Sequence, residues 1–403
     1  MFVNPFNSSG NPFAGKNIIK PPEPSESPTS TKKLPENRLP RYLNFNADYT
    51  GCGHWRMLWP EQVLNSYRQC VVHSSTMMVT DPKHWHQVKT VRVQRQATPT
   101  QQQFLNYIKD KFSSTKLIYE IDDVCFGPDI PQYNPFRDAF SNQATIDRMK
   151  SMMSICDEMT VTTPALRDYF LKNTSQKNIT VIPNYIPRFW AGNLFNLKDR
   201  NKVFDKNKKR PRILYAGSSS HFDIRGKNNH IDDLSHVTDY IISTLNKYQW
   251  VFIGGLPYQL REYEASGAVE FHKWTHLLDY PYMLNNLNIS AAIVPLHDNI
   301  FNRCKSDIKF LEYAAAGIPC ICQDLNVYNE CKDLFTDSES LARSIHKLTT
   351  DKKYYSKICS TNYNRVSKMW LELDCNRSKF LELYKFNYGS HERVNINKLN
   401  GNI

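Results

Sequence analysis

Between residues 41 and 190, short apolar runs rich in β-branched and aromatic residues alternate with stretches whose apolar positions recur at helical spacing. RYLNFN, VKTVRVQ, KLIYEIDD, EMTVT and NITVIPN read as strands; PEQVLNSY, TPTQQQFLNYIKDKF, ATIDRMKSMMSIC and TPALRDYFLKN read as helices. Thr98 stands where an N-cap belongs, and Pro99 occupies the first helical position, where its missing N–H costs nothing. PEQVLNSY is expected to begin after Pro60. Beyond residue 212 the alternation resumes. RILYAG, WVFIGG, AVEFH, SAAIVPL and IPCICQ are the strands, and IDDLSHVTDYIISTL, LDYPYMLNNL and the run from Ser306 to Ala316 the helices.

Strands alternating with helices in each half predict two parallel-sheet α/β domains, 41–190 and 213–350, facing each other across a cleft. In such sheets ligands bind beyond the carboxyl ends of the strands, so chemistry should gather there. Apolar positions within 351–388 predict helices that pack along the outside, back onto the first domain. Residues 1–40, rich in Pro, Ser, Asn and Lys, read as a flexible arm, and 389–403 as a tail.

Charge and cysteines then narrow the picture. Over 403 residues, 51 basic against 39 acidic side chains leave a net charge of +12, which favours an anionic partner. Eight basic and two acidic residues between Lys198 and Arg212 give a local +6, so 191–212 reads as a basic interdomain linker. Lys206, Lys208, Lys209 and Arg210 are its candidate contacts to DNA phosphates. The ten cysteines are scattered without a C-x-x-C pair, as in a reducing cytoplasm, which argues against a disulfide framework or a zinc site. No apolar run approaches a membrane span, so no membrane partner is expected.

Candidate chemistry sits at strand ends. Gly217, Ser218 and His221 follow RILYAG directly, with Arg225 and Lys227 close behind; the small residues admit backbone approach and the bases add charge where a diphosphate would lie. Lys309 and Glu312, i and i+3 on one helix with Ser306 just before it, share a face. In the first half, Gly51 and Gly53 follow the opening strand, without the third glycine of a dinucleotide fingerprint. Asp122 and Asp123 end KLIYEIDD. Alternation on a strand would turn one of them into the cleft, as a base for an attacking hydroxyl, and continuity with Glu120 favours Asp122. Cap or loop hydrogen bonding is the competing role.

These residues carry a resemblance. SDIKFLEYAAAGIP is similar to the P-x-K-x-x-E-Y-x-A-x-G-x-P signature of nucleotide-sugar glycosyltransferases with the two-domain GT-B fold, and the domain order agrees over roughly residues 41–386. The resemblance implies a UDP-sugar donor held mainly by the second domain, with Glu312 on the ribose and Lys309, Arg225 and Lys227 on the diphosphate. Gly51 and Gly53 would approach the donor from the other side. No permanent cofactor is implied, and the motif requires no divalent metal. Many retaining members carry an acid eight residues before the glutamate; here that position is Cys304, which leaves the stereochemical outcome open.

More narrowly, KLIYEIDDV and the Lys309-x-x-Glu312 pair resemble bacteriophage enzymes that glycosylate hydroxymethylated pyrimidines in DNA. That resemblance implies double-stranded DNA as partner, 5-hydroxymethylcytosine as acceptor and the host cytoplasm as location. The alternatives are a glycosyltransferase of a surface polysaccharide, lipid-linked glycan or glycoprotein, and a non-catalytic DNA-binding protein on the same scaffold.

Overall fold

Two six-stranded, wholly parallel sheets form the frame of the computed structural model, which describes residues 41–68, 70–75, 88–190, 196–223 and 231–384. The expected arm, the tail, Arg225 and Lys227 lie outside the described residues. The first sheet contains β1 (Arg41–Phe45), β2 (Val71–Ser75), β3 (Val88–Gln94), β4 (Lys116–Glu120), β5 (Glu158–Val161) and β6 (Ile179–Val181), in the order β2-β1-β3-β4-β5-β6. The second contains β7 (Arg212–Gly217), β8 (Gln249–Gly254), β9 (Val269–Lys273), β10 (Ala291–Val294), β11 (Cys320–Gln323) and β12 (Leu334–Phe335), in the order β12-β11-β10-β7-β8-β9. Chain order reverses between β1 and β3 and between β7 and β10, which opens a crevice at each switch point. This is the α/β, two-domain GT-B arrangement the resemblance implies.

The strands form where the pattern placed them because their side chains are buried on both faces: β5, β10 and β11 are buried at every position. Thr98 does cap the helix Pro99–Lys111, accepting from the Gln101 amide in a reciprocal capping box.

One helix begins earlier than its pattern suggests. Helical structure runs from Gly51 to Ser66, with a π segment at His54–Leu58 ahead of Pro60. A proline inside a helix orphans the carbonyl four residues back, here that of Arg56. Arg92 on β3 donates to that oxygen at 2.8 Å, so the helix passes through Pro60 without a buried unpaired carbonyl.

Where a linker was expected, Leu197–Lys206 is a helix docked on the later helix Lys352–Val366. Arg200 donates to Tyr355 Oη at 2.9 Å and Ser356 to Asn201 at 2.7 Å, while Phe204 packs on the Tyr355 ring. Its charge pattern hid an amphipathic face: Arg200 and Phe204 are buried, and the lysines point outward. The last helix among the described residues, Asp374–Tyr384, returns to the first sheet. Tyr384 donates to Asn44 at 2.9 Å and stacks on Tyr42 at 4.6 Å, and Thr90 and Lys116 donate to the carbonyls of Tyr384 and Leu383.

Candidate functional site

The carboxyl ends of the two sheets face one cavity of about 270 Å³. On the first-domain side, the β1 end is organised by Asp48, which accepts from the amides of Thr50 (2.8 Å) and Gly53 (3.1 Å) and pairs with Arg95 at 2.5 Å. That turn sets Gly51, Cys52 and Trp55 on the cavity wall. Gly51 has open space where a Cβ would lie, whereas a Cβ on Gly53 would stand 1.9 Å from the Asp48 carbonyl oxygen. Gly53 is therefore a glycine for the sake of its own turn, and it does not line the cavity. The two glycines expected to act together have separate reasons to be there.

Asp122 and Asp123 both line the cavity. The expected alternation does not apply, because β4 ends at Glu120 and both acids lie on the irregular chain beyond it. Asp122 stands 3.7 Å from Arg95, and its buried Oδ1 has no hydrogen-bond partner among the described residues. Asp123 meets Lys305 of the second domain at 3.2 Å. Burial raises the Asp123 carboxyl above its usual range, Lys305 opposes this and Asp122 adds to it.

Glu120 itself points into the first-domain core, where Arg56, Arg92 and Thr160 surround it. Burial alone would raise its pKa, but the two guanidinium groups outweigh that and hold it below the usual carboxylate range. Arg56 extends the network to Asn184 at 2.9 Å, and Asn184 donates to Ser306 at 2.8 Å. A fully buried charge cluster thus fixes the second-domain loop that carries Ser306.

On the second-domain side, β7 delivers Ala216, Gly217, Ser218, Ser220 and His221 to the wall, and the helix Ile308–Ala315 delivers Lys309 and Glu312. Its N-terminus opens on the cavity, a ready site for an anion. Lys309 donates to the Ala216 carbonyl and lies over the Tyr215 ring at 5.2 Å. A Cβ on Gly217 would stand 2.9 Å from the Lys309 ammonium and 2.6 Å from the Tyr215 hydroxyl, so the absence of a side chain there lets Lys309 reach the strand end. Burial pushes the Lys309 ammonium down and the Glu312 carboxyl up, each opposed by the charge of the other. An anionic group beside Lys309 and hydrogen-bond donors beside Glu312 would each support the charge that burial disfavours. The i, i+3 expectation holds geometrically: both residues face the cavity.

The strand-end rule flags further residues that motif reading passed over. Trp274 follows β9 immediately, is 58% exposed and stacks nearly parallel on Tyr280, with ring centroids 6.3 Å apart. Gly254, at φ +88°, leaves space for its indole edge. Lys305, from the loop after β10 at the switch point, joins the expected Ser306 on the wall. Cys304, where many related signatures carry an acid, is buried among first-domain side chains, and its carbonyl accepts from Thr163 at 3.0 Å.

Lys206 and Arg210 do not join this cavity. They line a separate depression with Arg212, Gln249 and Asn288, at the amino ends of β7 and β8. Lys208 and Lys209 fall in the same exposed turn. The length of β7, roughly 17 Å at the usual rise per residue, separates that surface from the cavity.

Folding also assembles a cluster that spacing did not suggest. The sulfurs of Cys320, Cys322 and Cys331 lie within 4.8 Å of one another in the core, a donor set suited to a soft cation. The first two share a face of β11, and Cys331 arrives from the loop beyond Tyr328.

No protein-family profile matches the chain, and no curated protein sequence does. Solved structures do. Sucrose-phosphate synthase from Thermosynechococcus elongatus superposes with a TM-score of 0.60 at 13% identity, over 86% of this chain and 98% of that one. Anabaena Alr3699/HepE in complex with UDP and glucose gives 0.57 at 12% identity, over 87% and 100%. TarM gives 0.51 at 12% identity, over 74% of this chain and 55% of its own. At these identities the likeness is one of fold.

Proposed function

We propose that the chain is a glycosyltransferase that takes a UDP-sugar in the cavity between its two sheets and passes the sugar to an acceptor hydroxyl. The observation that carries this reading is the pairing of Lys309 and Glu312, partly desolvated on one helix face, with two aspartates across the cavity. Neighbours of the same fold, one of them in complex with UDP and glucose, support the donor class.

Each wall then has its chemistry. Lys309, Lys305 and the N-terminus of Ile308–Ala315 offer positive charge to the diphosphate as it becomes the leaving group. Glu312 accepts from the ribose hydroxyls. Trp274 offers an exposed face on which the uracil ring stacks. Asp122 or Asp123 takes the proton from the acceptor hydroxyl as the anomeric carbon is attacked. The whole step is a displacement: the acceptor oxygen bonds to the sugar carbon, the bond to the diphosphate breaks, and UDP leaves.

For the acceptor, the finer reading is the hydroxymethyl group of a modified cytosine in DNA, supported by the +12 charge and the phage resemblance. The position of the linker bases favours the other reading, a sugar hydroxyl of a glycan, because a duplex held by Lys206 to Arg210 would lie at the wrong end of β7. One experiment addresses both levels. The protein is incubated with radiolabelled UDP-sugars and either hydroxymethylated duplex or glycan acceptors, and label in product is counted. Transfer to duplex that is lost when those four bases are neutralised supports the DNA reading. Transfer to glycan alone excludes it, and neither transfer nor donor hydrolysis with any UDP-sugar would sink the enzyme itself.

A further inference from the structure

His221 sits on a short turn after β7, with its ring on the cavity wall. Its Nδ1 is 2.8 Å from Asp233 Oδ2. The other oxygen of that carboxylate accepts from Tyr133 Oη (2.8 Å), the His297 amide (2.9 Å) and Asn302 Nδ2 (2.6 Å). Asp233 is thus surrounded by donors, and these hold its carboxyl below the usual range although burial alone would raise it. An ionised carboxylate can only accept, so the imidazole proton resides on Nδ1. The lone pair is then on the second ring nitrogen, Nε2, of a ring that lines the cavity.

The neighbours explain what such a group is for. Burial, Lys309 and Lys305 all disfavour the imidazolium, and His221 titrates at about 4, so it is neutral at physiological pH. A neutral ring with a lone pair on Nε2 is a poor partner for a diphosphate, which needs donors. With burial lowering its proton affinity while burial raises that of Asp123, it holds no advantage as the base for the acceptor proton. It suits a hydroxyl that donates.

We infer that His221 Nε2 accepts a hydrogen bond from a hydroxyl of the transferred sugar, and that the Tyr133–Asp233–His221 chain sets which sugar is taken. This rests on the glycosyltransferase reading and deepens it, because the ribose end of the donor belongs to Glu312. Tyr133 belongs to the first domain and Asp233 to the second, so the acceptor nitrogen is held in place by a contact that spans the cleft. His221 is then a specificity residue that touches the donor, and Tyr133 is a positioning residue that acts through Asp233.

Calorimetry with UDP, UDP-glucose and each singly deoxyfluorinated UDP-glucose tests the inference without needing the acceptor. Fluorine keeps the size of the hydroxyl but cannot donate. At one sugar position the replacement should weaken binding to the wild type about tenfold, the scale of one hydrogen bond. In His221→Phe that penalty should vanish; in His221→Gln, whose amide oxygen can still accept, part of it should return. Tyr133→Phe should reduce the penalty while leaving UDP affinity unchanged. The idea is overturned if no position shows a penalty that depends on His221, or if His221→Phe weakens UDP itself as much as UDP-glucose, the mark of a phosphate contact. Failure of UDP to bind the folded wild type would remove the donor reading together with this one, and is told apart from the first two outcomes by the UDP control.

Discussion

Asp123 on the first domain and Lys305 on the second meet at 3.2 Å across the cleft, an ion pair between the carboxyl end of β4 and the loop after β10. Lys305 is the group that holds the Asp123 carboxyl down against burial and against Asp122. In Lys305→Met burial and Asp122 are opposed only by the hydrogen bond from the Val124 amide, so the Asp123 pKa should climb further. A base must be ionised to work. The acid limb of log kcat/KM should therefore move to higher pH in the variant, as read from a pH–rate profile. A limb that stays in place would separate Asp123 from the proton transfer.

Replacing the carboxylate itself is the more direct test. Asn keeps the shape and most hydrogen bonds but not the basicity. One of Asp122→Asn and Asp123→Asn should lower single-turnover transfer by at least ~10²-fold at saturating donor, with UDP affinity nearly intact. Two near-wild-type rates would leave both acids without a chemical role.

The glycines at the cleft divide into three expectations. Gly53→Ala forces a Cβ onto the Asp48 carbonyl, a backbone atom that cannot step aside, and should destabilise the fold by ~1–3 kcal/mol in urea melts. Gly51→Ala meets open space and should leave stability unchanged. Gly217→Ala drives a methyl towards Lys309 and Tyr215, so it should weaken UDP binding at least tenfold, at most a modest cost in stability. If Gly217→Ala binds UDP normally, Lys309 does not hold the diphosphate from this position.

Glu312→Ala should weaken UDP binding by ~1.5–3 kcal/mol, the range for a hydrogen bond involving a charged group. The same variant removes the partner that supports the Lys309 charge, so Lys309 should titrate lower still. Unchanged UDP affinity in the folded variant, measured by calorimetry, would rule out the ribose contact.

His221 gives the stability a pH dependence whose sign is fixed. Unfolded, the ring takes a proton near 6.5; folded, it resists to about 4. Between those values the unfolded chain binds more protons, so stability should fall as the pH is lowered from about 6.5 to about 4. The loss from this one group is at most ~3 kcal/mol. His221→Gln should flatten that part of the curve of unfolding free energy against pH, and an unchanged slope would mean that the ring is protonated in the folded protein.

Local pattern alone was enough for much of this protein. The spacing of apolar residues predicted ten of the described strands and seven of the described helices at the right places in the chain, among them β3, β7 and the helix bearing Lys309 and Glu312, because a parallel strand buried on both faces and an amphipathic helix each leave their period in the residues themselves. The strand-end rule then put Gly217, Lys309 and one of the two aspartates at one cleft, since topology fixes which loops meet at a switch point. What the sequence could not determine was every relationship carried by long-range contact. The helix through Pro60 exists because Arg92 takes the Arg56 carbonyl. The supposed linker is a docked helix because Tyr355 and Ser356, some 150 positions later in the chain, receive it. Asp122 and Asp123 share a cavity because β4 stops at Glu120, whose charge is held by two arginines in the core. His221 acquires its tautomer from Asp233, and Asp233 its environment from Tyr133 in the other domain. Period and propensity act over a few residues, whereas protonation state, side-chain direction and helix ends at this site are set by partners that only tertiary packing brings within hydrogen-bond distance.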